Sequence, residues 1–339
     1  MRMRRTSPRK DAQPRTHNEG HLRVITILAL LLLSLPLPFA HADNPYQDSD
    51  DSMELPEEFR ETKVALLTWS GALLPTVEAM FEYMGFEAET VSGSEIRYGA
   101  LKDFDILVCP GGSGSPFDDL GANGINRIRN FIEDGGGYLG ICAGALYASD
   151  YFVWRGVPSL EPPFDEEIVM GESMNFDLFP GVGYFPIEEI SVNTAMTKIN
   201  IVDHTHPVTD SLPDHMHVFY AQGPYLEPHE DANVTILATY DVTGEPVIVA
   251  FQYGRGRVLL SGVHPEYEMD SDRDGNPPDP EFSDEGSDWP LVVEAMKWLT
   301  PSPDSRITRT KIPGFTYEAL TIGITVGVLL LWWMREHAR

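Results

Sequence analysis

Basic residues are what this sequence has least of. Lysine and arginine together number 24 against 52 aspartates and glutamates, and only 6 of the 24 are lysine. The resulting formal net charge of -28 argues against a protein that grips nucleic acid by neutralising its phosphates. The shortage is concentrated in the middle of the chain. Positions 1–42 hold 7 basic and 2 acidic residues and positions 306–339 hold 5 and 2, which leaves 12 basic and 48 acidic residues between them. Such a surface is consistent with adaptation to high salt, and it bears on solubility more than on chemistry. Cysteine is nearly absent: with Cys109 and Cys142 alone, at most one disulfide can form within the chain. No internal repeat is present. What the chain does have is 42% hydrophobic residues, enough to bury a sizeable core and to exclude a disordered polypeptide.

Two apolar runs lie near the ends. Val24 to Phe39 follows a segment with Arg2, Arg4, Arg5, Arg9, Lys10, Arg15 and Arg23, and precedes Ala40-His41-Ala42, a small-x-small pattern of the kind signal peptidase cuts. Residues 1–42 are therefore expected to act as a signal peptide, or as a signal anchor if uncleaved. Ala319 to Met334 has no charged residue and is flanked by Phe315 and Tyr317 on one side and Trp332-Trp333 on the other, as interfacial anchors would be. A transmembrane helix is expected over 315–334, with 335–339 as a short cytoplasmic tail. Gly323 and Gly327 give a GxxxG spacing through which two such helices can approach as a homodimer. The expected location is membrane-anchored, with the domain in the periplasm or at the cell exterior.

The acidic stretch 43–62 and the Pro/Ser/Thr-rich stretch 301–314 are expected to be linkers. Residues 63–300 between them have the size of one large α/β domain. Val64-Ala65-Leu66-Leu67, Asp105 to Cys109 and Tyr138 to Ile141 predict buried strands. Leu73 to Met84 and the face carrying Ile125, Ile128, Phe131 and Ile132 predict helices between them. The alternation predicts a mostly parallel sheet with helices on both faces. Val247–Tyr253 and Arg257–Ser261, around Gly254-Arg255-Gly256, predict a hairpin at the edge of that sheet.

Gly140-Ile141-Cys142-Ala143-Gly144 joins a buried strand to a small-residue helix start, which places Cys142 on a sharp turn where a helix N-terminus favours the thiolate. A thiolate needs a base and an orienting acceptor. Val263-His264-Pro265-Glu266 follows a late strand, and its histidine and glutamate, two apart, can share one side of an extended segment. Backbone N–H groups of Gly112 and Ala143 are candidates for an oxyanion hole. Against this stand plainer alternatives: a core cysteine, a loop His-Pro-Glu, or a Cys109–Cys142 disulfide. Ser70 and Ser113 are weaker nucleophile candidates, without an adjacent base.

Two clusters suggest ions. Asp270, Asp272 and Asp274, then Gly275 and Glu281, follow the spacing of a calcium loop, although Pro277, Pro278 and Pro280 prevent a normal exiting helix; the alternative is an ordinary acidic loop. A structural calcium is the one cofactor this pattern suggests, and none is required for the chemistry. His204, His206, His215 and His217 form two His-x-His pairs of the kind that can hold a transition metal.

The elbow, the late His-Pro-Glu and Cys109-Pro110-Gly111-Gly112 resemble the class I glutamine amidotransferase-like superfamily. Asn126 to Ile132, Gly135 through Gly144, Ala148-Ser149, His206-Pro207-Val208 and Gly223-Pro224-Tyr225 resemble one branch more closely: the amino-terminal domain of eukaryotic biotin-protein ligases and its stand-alone prokaryotic relatives. The resemblance implies a flavodoxin-like, Rossmann-like α/β fold, with Cys142 as nucleophile, His264 as base and Glu266 as its partner. It does not extend to a biotin-ligase catalytic domain, so biotin ligation is not expected. Nor is there a synthetase domain to take up ammonia. The expected function is a Cys-His-Glu amidohydrolase acting on a small-molecule or peptide amide, including γ-glutamyl bonds. The alternative is a membrane-tethered binding or scaffold domain that retains the elbow.

Overall fold

A computed structural model of the chain describes residues 59, 61–155, 168–171, 175–191 and 193–301. The expected signal segment, the 315–334 helix, Gly323 and Gly327 lie outside the described residues, as do most of both linkers. Among the described residues no helix is long and apolar enough to cross a membrane.

The buried apolar runs form the strands expected of them. β1 (Lys63–Thr68), β3 (Ile106–Cys109) and β4 (Gly137–Ile141) are buried almost throughout, as strands covered on both faces must be. With β2 (Glu87–Ser92) and β13 (Gly256–Ser261) they pair in parallel in the order β2-β1-β3-β4-β13. The sheet then continues antiparallel through β12 (Pro246–Tyr253), β11 (Val234–Tyr240), β8 (Thr194–Ile201) and β9 (His215–Ala221), making nine strands among the described residues. This corrects the hairpin's expected position. The β12–β13 pair forms around Gly254-Arg255 but sits inside the sheet, because four antiparallel strands build on beyond β13.

Strand alternation divides the core in two. Val64 and Leu66 of β1 face one side, with Val77, Met80, Phe81 and Met84 of α1 (Leu74–Met84) and Trp289, Met296 and Leu299 of α5 (Trp289–Leu299). Ala65 and Leu67 face the other, with Leu120, Ile128, Phe131 and Ile132 of α3 (Phe117–Glu133) and Ala145 and Leu146 of α4 (Ala143–Ala148). Each fully buried side chain such as Phe81 or Met80 contributes about 1.5–3 kcal/mol. Between β2 and β3 the chain makes a short helix, α2 (Gly93–Arg97), opened by a capping box between Ser92 and Glu95, and then a 3-10 turn at Ala100–Asp103. A second, four-stranded sheet follows α4, ordered β10 (Tyr225–Pro228), β7 (Phe179–Phe185), β5 (Ser149–Trp154), β6 (Ile168–Met170). Its Phe152, Phe179 and Leu226 complete the second core. The architecture is α/β with helices on both faces of a large mixed sheet, the class that the alternation predicts.

Phe59 and Thr62, assigned above to the acidic linker, belong with the domain. Phe59 packs on the first core and the buried Thr62 hydroxyl lies 3.4 Å from that of Thr300.

Candidate active site

The three residues that could form a thiol site come from two neighbouring parallel strands: Cys142 follows β4, and His264 and Glu266 follow β13. β4 ends at Ile141 and α4 starts at Ala143, so Cys142 carries the whole change of direction, with φ 52 and ψ -105. A non-glycine residue held there stores on the order of 1–3 kcal/mol of strain, supplied by its surroundings. The glycine after it makes the turn feasible: a Cβ on Gly144 would lie 2.0 Å from the Cys109 carbonyl oxygen, so no side chain fits where the helix presses on β3. The Cys142 amide donates to the Ser261 carbonyl (2.8 Å) at the end of β13, three residues before His264. That bond ties the elbow to the segment bearing the histidine.

His264 is in turn bridged to β9, donating its amide to Phe219 (2.8 Å). Phe219 and Tyr267 pack their rings against the imidazole, with centroids 6.1 and 5.8 Å away. Its Nδ1 lies 2.8 Å from Glu266 Oε1, and both side chains are buried. The other ring nitrogen, Nε2, has no hydrogen-bond partner. Burial alone would push the imidazole toward its neutral form, yet the Glu266 carboxylate, together with the Cys142 sulfur, outweighs it and holds the His264 pKa well above the ordinary histidine range.

Gly111 shows how close the parts lie. A Cβ built there would meet His264 Cε1 at 2.5 Å and Cys142 Cβ at 3.3 Å, so the turn leaves no room for a side chain between them. In that turn the Leu73 amide donates to Gly111 and the Ser113 amide to Gly71; after the elbow, the Ala145 and Leu146 amides both donate to Cys142. The Gly112 and Ala143 amides are left without a carbonyl acceptor among the described residues. Cys142 itself is 8% exposed, and its thiol donates to the Ala221 carbonyl at 3.7 Å. A surface cavity of about 330 Å³ lies elsewhere, lined by residues such as Phe117, Ile125, Arg129 and Asn175.

Cys109 plays a different part. Both cysteines are free, so the disulfide alternative does not arise in this structure. Cys109 is fully buried, and burial pushes its thiol up to about 12, against the opposing effect of the Tyr138 hydroxyl.

The four carboxylates picked for calcium are not brought together. Among the described residues no three histidine, cysteine, aspartate or glutamate side chains are grouped to hold a metal ion, those of the two His-x-His pairs included. The loop spends its carboxylates on itself. Asp274 is buried and accepts from the Glu268 and Asn276 amides (3.1 and 2.8 Å), while Asp270 accepts from the Ser283 hydroxyl (3.2 Å) and Glu281 is exposed.

Sequence reasoning missed the acids that are buried beside the candidate site: Glu268, Asp284 and Asp288. Glu268 pairs with Arg273 and accepts from Ser287 (2.6 Å), but Asp284 Oδ1 and Asp288 Oδ2 have no partner. Burial, and then the charges of Asp284, Glu268 and Glu266, hold the Asp288 carboxyl well above the usual carboxylate range. Burial and the adjoining Asp270 push Asp284 up to about 6. A carboxyl with a raised folded pKa costs nothing in acid. As pH rises above about 3.9 the unfolded chain ionises first, and stability falls until the folded group ionises too. Asp288→Asn is therefore expected to raise the melting temperature at pH 8, by about 1–3 kcal/mol of stability, and to change it little at pH 4. Differential scanning calorimetry at the two pH values checks this; an equal effect at both would show that ionisation is not the cause.

The family model described as "Biotin-protein ligase, N terminal" matches residues 101–285. A biotin–protein ligase of Schizosaccharomyces pombe is 28% identical over 218 residues, which is 61% of this chain and 32% of that one. An uncharacterized protein of Chlamydia muridarum is 33% identical over 166 residues, 48% of this chain and 60% of its own. The chain thus spans less than two thirds of the length of either relative. Among solved structures, a glutamine amidotransferase is similar at 20% identity and a TM-score of 0.44, covering 60% of this chain and 90% of that one. A glutamine amidotransferase of Thermotoga maritima is similar at 16% identity and a TM-score of 0.38, covering 63% and 80%. The family match takes in more than half of the chain, from before β3 and the glycine turn to beyond Glu266, and on that ground the chain belongs to the biotin-protein ligase N-terminal domain family.

Proposed function

We propose that this chain is a thiol-dependent amidohydrolase in which Cys142 is the nucleophile, His264 the acid–base group and Glu266 the residue that orients and charges the imidazole. The observation that carries the proposal is the buried His264–Glu266 pair beside a cysteine held at φ 52 on a strand-to-helix elbow. In the reaction, the Cys142 sulfur attacks the carbonyl carbon of an amide and its proton rests on His264. The negative oxygen that forms is met by the Gly112 and Ala143 amides. Breakage of the C–N bond takes the proton from His264 to the leaving amine or ammonia. Water, deprotonated by the same imidazole, then hydrolyses the thioester, releasing the acid and restoring the thiol. Amide, γ-glutamyl and peptide bonds all suit this chemistry. The signal-like segment at 1–42 and the apolar run at 315–334 support a reaction at the outer face of a membrane.

A second reading, a tethered binding domain without turnover, is favoured by one observation: Cys142 is only 8% exposed. One experiment separates the two. Membranes of cells expressing the full chain are expected to release ammonia or amine from a panel of γ-glutamyl and peptide amides added outside, and membranes carrying Cys142→Ala are not. Equal release from both would leave the binding reading, and activity confined to the soluble fraction would contradict the anchoring.

A further inference from the structure

The glycine turn from Gly111 to Gly114 lies outside every named helix and strand, is bridged to Ala72 at Gly112, and runs so close to the site that a Cβ on Gly111 would meet both Cys142 and His264. Beyond that bridge, two aromatic side chains hold its far end by consecutive carbonyls. Trp69 Nε1 donates to the Ser113 carbonyl at 2.7 Å, and the Tyr147 hydroxyl donates to the Gly114 carbonyl at 2.5 Å. The two rings also meet edge to face, with centroids 6.1 Å apart. Tyr147 belongs to α4, the helix that begins at the elbow, and it is buried against Phe117, Phe152 and Phe176. Its ring is therefore fixed to the same rigid element as Cys142, and its hydroxyl reaches across to the turn that carries the Gly112 amide.

We infer that Tyr147, supported by Trp69, is a positioning residue that locks the glycine turn to the elbow helix and so sets the Gly112 amide against the oxygen of an acyl group on Cys142. The inference rests on the amidohydrolase reading above. It assigns Tyr147 no contact with substrate and no proton to transfer. The hydroxyl acts on one donor of the oxyanion hole, so it should matter only to reactions that develop a negative oxygen.

Two probes of the full chain make that distinction. Acylation of Cys142 by 4-nitrophenyl acetate passes through a tetrahedral oxyanion and expels 4-nitrophenolate, whereas alkylation by iodoacetamide displaces iodide at carbon and forms no oxyanion. Tyr147→Phe keeps the ring packing and removes the hydrogen bond. It is expected to slow acylation at least about tenfold, part of the roughly 100-fold or greater cost of losing such a donor outright, with alkylation within about twofold of the wild type. Trp69→Phe, which removes the other anchor, is expected to show the same split. Acylation and alkylation falling together in both variants would mean a general structural role and overturn the inference, as would unchanged acylation. If the wild type is acylated at Cys142 in a His264-dependent way and both variants are too, only the positioning role fails. If wild-type Cys142 is alkylated but never acylated, the amidohydrolase reading and this inference fail together.

Discussion

Gly111→Ala is expected to slow acyl transfer at Cys142 by about 100-fold or more, the scale on which misplacing reacting groups by an ångström acts. Gly111 does not occupy the left-handed region, so the methyl group adds no backbone strain, and its whole effect is steric. The new carbon would lie 2.5 Å from His264 Cε1. The imidazole cannot retreat, since Glu266 holds its Nδ1 and Phe219 and Tyr267 pack against it. Overpacking of this kind costs about 1–3 kcal/mol, which should leave the chain folded. Acylation kinetics and a thermal melt of the same variant check both statements. Wild-type acylation in a folded Gly111→Ala protein would mean that His264 does not stand where the reaction needs it.

Glu266→Gln is the second large effect. The raised pKa of His264 depends on the buried carboxylate overcoming the cost of burial, and an uncharged amide cannot do so. His264 is then expected to lose its proton at a pH well below that of the wild type, and turnover to fall on the order of 10³–10⁴-fold, as when the orienting carboxylate of a catalytic triad becomes an amide. The sign for stability follows. A histidine whose folded pKa lies above its unfolded value of about 6.5 stabilises the fold fully below that pH, and loses the contribution as pH rises through the folded pKa. The variant should therefore be less stable than the wild type near pH 6, with the difference narrowing in alkali. Titration of the His264 ring protons by NMR is the direct check, and an unchanged midpoint would remove Glu266 from its assigned role.

The parts of the fold legible in the sequence are those whose pattern is local. Val64-Ala65-Leu66-Leu67 and Asp105 to Cys109 announce buried strands by their apolar runs, and Gly85 ends α1 with a φ of 79, as a glycine at that place should. The second sheet was not legible. β7 carries Pro180, Gly181 and Gly183, and β10 is four residues ending in Pro228, so neither has a strand pattern apart from its partners. Period-two spacing also misled: His215 and His217 alternate with the buried Met216 and Val218 along β9, so their spacing is that of a strand with one face outward. The candidate residues stood out in the sequence because Cys142 follows directly on the buried β4 among small residues, and His264 and Glu266 flank a proline shortly after β13. Glu268, Asp284 and Asp288 were not, because nothing in an acidic stretch marks which carboxyl the fold will bury. Tyr147 and Trp69 were missed for a related reason: their partners are backbone carbonyls 33 and 44 residues away.

The central claim is that Cys142 and His264 act as a thiolate–imidazolium unit. Its most direct test is the rate of iodoacetamide alkylation at Cys142 from pH 5 to pH 9, read by peptide mass spectrometry in the full chain and in His264→Ala. The expected result is alkylation that remains rapid below pH 7 in the wild type and slows at least about tenfold there in the variant. The contradictory result is one shared profile, slow in acid and rising only near the ordinary thiol range of about 8.5.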